Sequence, residues 1–203
     1  PNQILLSIKK NLESSRLVDE KITKGYQQEF RNISIELSSN LSFKEWYQVY
    51  RKIIYWELEL SKSDDSSIDE IISMQKSEAN SQFFRFVSRN YEDWINNIES
   101  PLLSHNLLEK KVFHLLNNSS PVYLLLIDNL RYDQWKVIED NILQKFKIID
   151  DSMYMSILPT ATQYSRNSIF SGLRPSDIQN LYPKKWLNDE DEGGKNMFEE
   201  DFL

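Results

Sequence analysis

Apolar residues recur every three to five positions along the first half of the chain, and this period predicts amphipathic helices. The first apolar stripe predicts a helix over about 2–33. A capping box follows at Ser42 to Glu45, where the serine hydroxyl can accept from the Glu45 amide and the glutamate can accept from the Ser42 amide. This box predicts that a second helix extends over about 43–61.

Two further start signals predict two more helices. A second capping box over 67–70 predicts a long third helix that ends near Ile98. A serine–proline pair at 100–101 predicts the start of a fourth helix that ends near Leu116, because proline is favoured at the first helical position. Four helices joined by short polar linkers predict an antiparallel bundle.

The pattern changes after a polar, proline-containing stretch at 117–121. Residues 122–127 form a continuous apolar run of strand length, which is typical of a strand buried on both faces of a parallel sheet. The elements predicted after it are, in chain order, a helix over 132–143, strands near 147–149 and 153–158, and a helix from Thr162 to Gly172. This alternation predicts an α-helical bundle followed by the first part of an α/β domain, with domains over 1–118 and 119–203.

Composition and charge exclude several functional classes. The 203 residues contain no cysteine, so disulfides, thiolate metal sites and cysteine nucleophiles are excluded. The formal net charge is −7, and the last sixteen residues hold seven acids against one lysine. We therefore expect no general duplex nucleic-acid binding. The longest apolar run is too short to span a bilayer, and no signal peptide opens the chain, so a cytoplasmic location without membrane contact is expected.

Two residues are candidates for catalytic chemistry. Asp128 directly follows the predicted buried strand, at the edge where open α/β sheets place their ligand sites. Thr162 stands between a predicted strand and the start of a helix, where free amide groups stabilise an alkoxide or a phosphate. Each residue also has a simpler interpretation, Asp128 as a turn residue and Thr162 as a helix N-cap. Together they are typical of a metal-bound aspartate that faces a hydroxyl nucleophile.

The sequence around these two residues resembles the alkaline phosphatase superfamily. The resemblance rests on the apolar run that ends at Asp128, on Pro-Thr-Ala-Thr at 159–162, and on Gly-Leu-Arg-Pro at 172–175. In the phosphodiesterase and pyrophosphatase branch of that superfamily, the strand-end aspartate binds zinc and the second threonine is the nucleophile. The resemblance implies that Asp128 is a metal ligand and that Thr162 is both the catalytic nucleophile and a second zinc ligand.

Two longer segments, 127–135 and 186–196, resemble the PglZ-domain response regulators of the PorX type more closely. Those proteins join a receiver, a helical linker domain and an α/β PglZ domain, and they are associated with control of the type IX secretion system. The resemblance implies a two-component signalling protein with zinc-dependent phosphodiesterase or phosphatase chemistry. It also implies a homodimer, a sensor histidine kinase as partner, and a phosphodiester or nucleotide-like substrate.

The same resemblance predicts that this chain is a central fragment, which would lack the receiver and the C-terminal half of the PglZ domain. The two histidines, His105 and His114, are nine residues apart, so on one helix they would point to opposite faces and share no metal. Asp128 and Thr162 alone are too few for a zinc site. We therefore expect an incomplete zinc ligand set here and no activity from the fragment by itself.

A non-catalytic helical scaffold for dimerisation or signalling is the alternative function. The helical half is rich in large aromatic residues, which exceed what one small bundle usually hides: Trp46, Tyr47, Trp56, Phe83, Phe84 and Trp94. The acidic loop over 188–196 is open to two interpretations, a solvated loop or a mobile lid. No catalytic role is assigned to it.

Overall fold

The structure, a computed structural model, describes residue 10 and residues 24–62, 66–96, 100–117 and 120–203. The chain divides into two compact units. The first unit comprises the residues up to Glu92 together with Leu130–Lys147, and the second comprises Asp93–Asn129 and Ile148–Leu203. Within the described ranges, no helix is both long enough and apolar enough to cross a membrane.

Helices dominate both units. In chain order they are α1 (24–37), α2 (Phe43–Leu60), α3 (Ser66–Asn96), α4 (Leu107–Lys111), α5 (Tyr132–Leu143), α6 (Thr162–Ser171), α7 (Pro175–Leu181) and α8 (Glu199–Phe202). The first unit contains α1, α2, α5 and most of α3, whereas the second unit contains α4, α6, α7 and α8. The two units are described separately below.

The predicted capping box at the start of α2 is confirmed. The Ser42 hydroxyl accepts from the Glu45 amide at 3.4 Å, and the Glu45 carboxylate accepts from the Ser42 amide at 2.7 Å. These hydrogen bonds to Ser42 lower the pKa of Glu45. They satisfy two amide groups that the first turn of a helix otherwise leaves without partners.

Side chains from α1, α2 and α3 form the core of the first unit. Its main apolar cluster draws on all three helices and on the α1–α2 linker, and consists of Ile33, Leu37, Leu41, Trp46, Val49, Ile53 and Ala79. The Tyr26 hydroxyl donates to Gln75 Oε1 at 3.3 Å, and Gln75 Nε2 donates to the Phe30 carbonyl at 3.1 Å. Burial raises the pKa of Tyr26 to about 12, so the hydroxyl keeps the proton that it donates. Helical packing is thus confirmed for three of the predicted helices.

The fourth helix of the first unit is α5, which the sequence places in the α/β part of the chain. Its Tyr132 ring lies 5.8 Å from the Tyr50 ring of α2, and Arg51 Nη1 donates to the Tyr132 hydroxyl at 3.2 Å. The predicted helix over 132–143 is confirmed in its bounds. Its packing partner, an aromatic face on α2, could not be read from the period of the pattern.

Two predicted helix boundaries are wrong within the described residues. The first helix ends at residue 37 rather than near 33, because Ile33 and Leu37 lie one turn apart and both enter the core. The second capping box is wrong because Ser67 already has a helical backbone inside α3. The predicted start of the first helix and the predicted end near Ile98 lie outside the described residues.

The predicted helix over 101–116 is wrong. A 3₁₀ turn at Ser104–Asn106, the short α4 and a second 3₁₀ turn at Phe113–Asn117 occupy this region instead. Non-local bonds explain the difference, because Leu103 pairs in a parallel bridge with Met155 and its amide donates to Asn106 Oδ1 at 2.8 Å. An extended residue at this position cannot continue a helix.

The predicted parallel sheet is absent from the described residues. Residues 122–127 form no strand, and their apolar side chains are exposed. The predicted strands near 147–149 and 153–158 are also missing, although Met155 of the latter makes the isolated bridge to Leu103. A continuous apolar run indicates that a segment favours burial, but a strand forms only where a neighbouring strand completes its hydrogen bonds.

The second helix of the predicted α/β part is confirmed as α6. It ends at Gly172, whose φ of 67° places it in the left-handed region that glycine adopts at low cost, and whose amide donates to the Ser168 carbonyl at 3.1 Å. Helices α7 and α8 were not anticipated. Pro175 occupies the first position of α7, where proline is favoured and signals the start of a helix.

We expect a large difference between two isoleucine substitutions in α1. Ile33 is 0% exposed in the apolar cluster, whereas Ile35 is 68% exposed on the same helix. Ile33→Ala should lower the free energy of unfolding by about 2–5 kcal/mol. Ile35→Ala should change it by less than about 0.5 kcal/mol. Urea titration followed by circular dichroism measures both, and equal losses would contradict the packing of α1.

Candidate active site around helix α6

Thr162 is the first residue of α6, and its side chain is exposed. The N-cap position is occupied by Ala161, with φ −68° and ψ 150°. The simpler interpretation of Thr162 as the N-cap is therefore wrong. Because alanine carries no acceptor, the cap residue offers no side-chain oxygen to the amides of the first turn, and the Tyr164 amide donates instead to the Ala161 carbonyl at 3.0 Å.

The turn before Thr162 is tied to the helix that follows it. The Ser165 hydroxyl can donate to the Thr160 carbonyl oxygen at 3.2 Å and to the Ala161 carbonyl oxygen at 3.1 Å. Ser165 is buried. Its hydroxyl thus fixes the backbone that enters α6 at the two residues directly before Thr162.

Asp128 lies in a turn beside Asn129, which has a positive φ of 57°. The Asp128 carboxylate accepts from Arg166 Nη1 at 2.9 Å. Arg166 follows Thr162 by four residues on α6, and residues spaced in this way share one face of a helix. The ion pair therefore links Asp128 to the face of α6 that carries Thr162, and it brings the two sequence-predicted site residues to one helix.

Arg166 also binds a second carboxylate. Its Nη2 donates to Glu199 Oε2 of α8 at 2.6 Å. Burial alone would lower the pKa of Arg166, but the hydrogen bond and charge of Glu199, with a smaller contribution from Asp128, raise it overall. Arg166 Nε and Glu199 Oε1 are buried and have no hydrogen-bond partner within the described part of the chain. The pairing of Arg166 with Glu199 is thus largely shielded from solvent.

The acidic loop over 188–196 is docked on α6. Asp189 accepts from Gln163 Nε2 at 2.6 Å and from the Tyr164 hydroxyl at 3.1 Å. Further along the loop, the Lys195 carbonyl accepts from Asn167 Nδ2 at 3.0 Å. Residues 188–194 are exposed, which fits the solvated loop of the two interpretations, while these contacts attach the loop to α6. The mobile lid stays a prediction.

The described residues do not make a zinc site by themselves. They contain no group of three or more histidine, cysteine, aspartate or glutamate side chains that could hold a metal ion. Asp128 and Thr162 supply two oxygen donors, whereas protein zinc sites use at least three protein ligands. One oxygen of Asp128 is, moreover, already paired with Arg166. The described residues therefore supply too few ligands for the zinc site that the sequence resemblance implies.

The two histidines lie in different turns rather than on one helix. His105 belongs to the 3₁₀ turn Ser104–Asn106 and His114 to the turn Phe113–Asn117. The prediction that both histidines lie on one helix is therefore wrong. Burial lowers the pKa of His105, and the nearby Arg174 lowers it further, so the neutral imidazole is favoured.

Family comparisons match both parts of the chain. Residues 107–202 match the family model described as the BREX system PglZ alkaline phosphatase-like domain. Residues 16–95 match the PorX response regulator linker domain. A search of curated proteins gave no match to the chain. The second half thus carries an alkaline phosphatase-like domain. With the linker in front of it, the chain has the domain combination of a PglZ-domain response regulator of the PorX type.

Sequence reasoning places Arg166 one helical turn beyond Thr162 but assigns it no role in the site, and it does not single out Glu199 or Asp189. Arg166 had a usable signal, because its four-residue spacing from Thr162 predicts a shared helix face. Glu199 and Asp189 lie in an acidic tail with no periodicity, so their bonds to α6 could be found only in the folded chain.

We expect the two carboxylates of Arg166 to differ in their importance for stability. The Glu199 side chain is 14% exposed, whereas that of Asp128 is 62% exposed. Glu199→Gln should cost about 1–3 kcal/mol, because it removes the largely buried carboxylate that pairs with Arg166. Asp128→Asn should cost less than about 1 kcal/mol, as for an exposed ion pair. Chemical denaturation compares them, and a larger loss for Asp128→Asn would reverse this ranking.

Proposed function

We propose that this chain is part of a cytoplasmic response regulator whose PglZ domain hydrolyses phosphodiesters with the help of zinc. Thr162 is the proposed nucleophile and a zinc ligand, and Asp128 is a proposed zinc ligand. The observation that carries the proposal is the ion pair between Asp128 and Arg166, because Arg166 shares a helix face with the exposed Thr162. The match to an alkaline phosphatase-like domain supports the same chemistry.

The proposed reaction transfers a phosphoryl group through Thr162. Its Oγ1 forms a bond to phosphorus while the bond from phosphorus to the leaving alcohol breaks, and the hydroxyl proton leaves with that alcohol. Water then attacks the phosphorus of this threonine phosphodiester, the bond from phosphorus to Oγ1 breaks, and a phosphate monoester leaves while Oγ1 regains a proton. The positive end of α6 and the amides of its first turn favour the negative charge that develops on the phosphoryl oxygens. The proposed zinc requires ligands in addition to Asp128 and Thr162.

The α/β sheet of the PglZ domain is the proposed setting of this site. The exposed apolar run over 122–127 is consistent with it, because a segment that is apolar on both faces is ordinarily covered within such a sheet. A phosphodiester or nucleotide-like compound is the proposed substrate class. We expect no general binding of duplex nucleic acid, since the chain has a net negative charge.

The helices of the first unit are proposed to carry the signal. In this proposal a sensor histidine kinase phosphorylates a receiver, the linker helices pass the change on within a homodimer, and the PglZ domain responds in the control of type IX secretion. The match of residues 16–95 to a response regulator linker domain supports a signalling role for these helices.

A non-catalytic dimerisation or signalling scaffold is the second candidate function. It is favoured by the large apolar side chains that the first unit leaves exposed, among them Ile35, Met74 and Phe84. Phe84 alone is 70% exposed on α3. Both candidate functions include dimerisation, so the test of phosphodiesterase activity below decides between them.

We expect Thr162→Ala to abolish phosphodiesterase activity of the complete, zinc-loaded response regulator, with a loss of several orders of magnitude. The fold should be retained, because Thr162 is not the N-cap and alanine is a better helix former than threonine. Thr162→Ser should keep partial activity, since it retains the hydroxyl. Hydrolysis of a chromogenic phosphodiester at equal zinc loading measures all variants.

Thr160→Ala is the matched control for that experiment. Thr160 lies two residues before Thr162, and its contribution to the site is a backbone carbonyl that accepts from Ser165. Its side chain can therefore be removed with little effect on activity. Wild-type turnover by a folded Thr162→Ala protein would end the nucleophile assignment, whereas a folded, zinc-loaded wild-type protein without turnover would favour the scaffold.

We expect the 203-residue chain to self-associate through exposed apolar residues of α3. Phe84→Ser should weaken this association without loss of helicity, because Phe84 lies outside the apolar cluster of the core. Glu78→Ser, at another exposed position of α3, is the control. Sedimentation equilibrium over a wide concentration range measures the effect. A strictly monomeric wild-type chain at high concentration would contradict the prediction.

A further inference from the structure

We propose that Asp189 is a positioning residue that fixes the first turn of α6 and, with it, the direction of the Thr162 hydroxyl. The proposal assigns a role to the acidic loop, and it rests on the proposed function only in taking Thr162 as the nucleophile. Asp189 accepts hydrogen bonds from the two residues that directly follow Thr162.

The contact uses both oxygens of the Asp189 carboxylate. Oδ1 of Asp189 accepts from Gln163 Nε2 at 2.6 Å, and Oδ2 accepts from the Tyr164 hydroxyl at 3.1 Å. An asparagine would offer one oxygen and one NH₂ group, so it would keep one acceptor, lose the charge of the carboxylate, and require the Tyr164 hydroxyl to accept rather than donate. Gln163 is buried, so bulk water does not replace the strength that its hydrogen bond loses when the acceptor is no longer charged.

The N-cap of α6 explains why such a contact is needed. Ala161 provides no side-chain acceptor, and helix ends without a cap are prone to fray. Asp189 holds the second and third residues of the helix from outside, while Ser165 holds the two residues before Thr162. Thr162 lies between these two attachments and keeps its side chain exposed.

Asp189 is itself held in place by its neighbours in the chain. Trp186 Nε1 donates to Asn188 Oδ1 at 3.1 Å, and the Trp186 ring meets the Tyr164 ring edge-on at 5.7 Å. The Lys195 ammonium donates to the backbone carbonyls of Asn188 and Asp191, which closes the loop on itself. The acceptor therefore lies on a fixed frame rather than on a free loop.

A second attachment extends the contact along α6. Asn167 follows Gln163 by four residues and is buried, and its Nδ2 donates to the Lys195 carbonyl at 3.0 Å. Two successive turns of one helix face thus bind the two ends of the loop. This arrangement restrains rotation of α6 as well as fraying of its first turn.

The absence of cysteine from the chain allows a test on the 203-residue protein itself. A nitroxide attached to Thr162→Cys labels a single position. Adding Asp189→Asn should increase the mobility of the label, seen as a narrower central line in its electron paramagnetic resonance spectrum. Glu190→Gln removes the same charge from the same loop at an exposed side chain and should leave the spectrum unchanged. An unchanged spectrum for a folded Asp189→Asn protein would overturn the proposal.

Tyr164→Phe provides a second variant in case Asp189→Asn does not fold. It removes one of the two hydrogen bonds and keeps the ring that packs against Trp186, so a smaller rise in mobility is expected. No rise for a folded Tyr164→Phe together with an unfolded Asp189→Asn would assign Asp189 a purely structural role, and the proposal would fall.

The catalytic consequence is tested in the complete zinc-loaded protein. Asp189→Asn should lower kcat by about ten- to a hundredfold with little change in KM, because the nucleophile is misdirected while the substrate still binds. Asp189→Glu should restore part of the loss. If Thr162→Ala retains activity while Asp189→Asn still frees the label, the proposed function fails and the positioning contact stands. If Thr162→Ala is inactive and Asp189→Asn leaves both label mobility and kcat unchanged, the proposed function stands and the positioning role of Asp189 fails.

Discussion

The guanidinium of Arg166 is the point on which the second unit depends. It joins three segments that are distant in the chain, namely the turn at Asp128, helix α6 and helix α8. Removing an arginine from water is costly, and this cost is offset here by two carboxylates with charge-assisted hydrogen bonds of 2.9 and 2.6 Å. The planar fork of arginine suits this task, because its two terminal nitrogens bind different partners at the same time. A lysine at this position would present a single charged nitrogen.

The buried face of α6 is mostly polar, which explains how its surroundings are arranged. Its buried residues are Gln163, Ser165, Asn167, Ser168 and Ile169. A buried polar side chain costs free energy unless hydrogen bonds replace those it made with water, and on this face only Ser168 Oγ and Asn167 Oδ1 lack a partner within the described residues. The acidic loop supplies acceptors to two of these side chains through Asp189 and Lys195, and the turn before the helix supplies carbonyls to a third. The position of α6 is therefore determined by directional bonds, which tolerate less displacement than apolar contacts do. This property suits a helix whose first residue is a candidate nucleophile.

Much of the helical structure could be predicted from the sequence, because its signals are local. The capping box at Ser42, the amphipathic period of α2 and α5, and the left-handed glycine at the end of α6 each act within a few residues. The broken region around Leu103 could not be predicted in this way, because its conformation depends on a partner fifty-two residues away. The same reason applies to the expected sheet. An apolar run reports a preference for burial and carries no information on whether neighbouring strands are in place.

The candidate site shows the same difference between features that the local sequence predicts and features that appear only in the folded chain. Thr162 and Asp128 could be selected from short motifs, since each follows a recognisable pattern of its own. Their link through Arg166 required the fold, as did the attachment of the acidic loop to α6. An acidic run without periodicity is ordinarily solvated, and only the geometry of its acceptors distinguishes Asp189 from Glu190 beside it. The two units therefore differ in the kind of information that specifies them. The first is specified mainly by apolar residues at helical spacing, whereas the second combines buried apolar residues such as Leu103 and Ile178 with individual hydrogen bonds between distant segments.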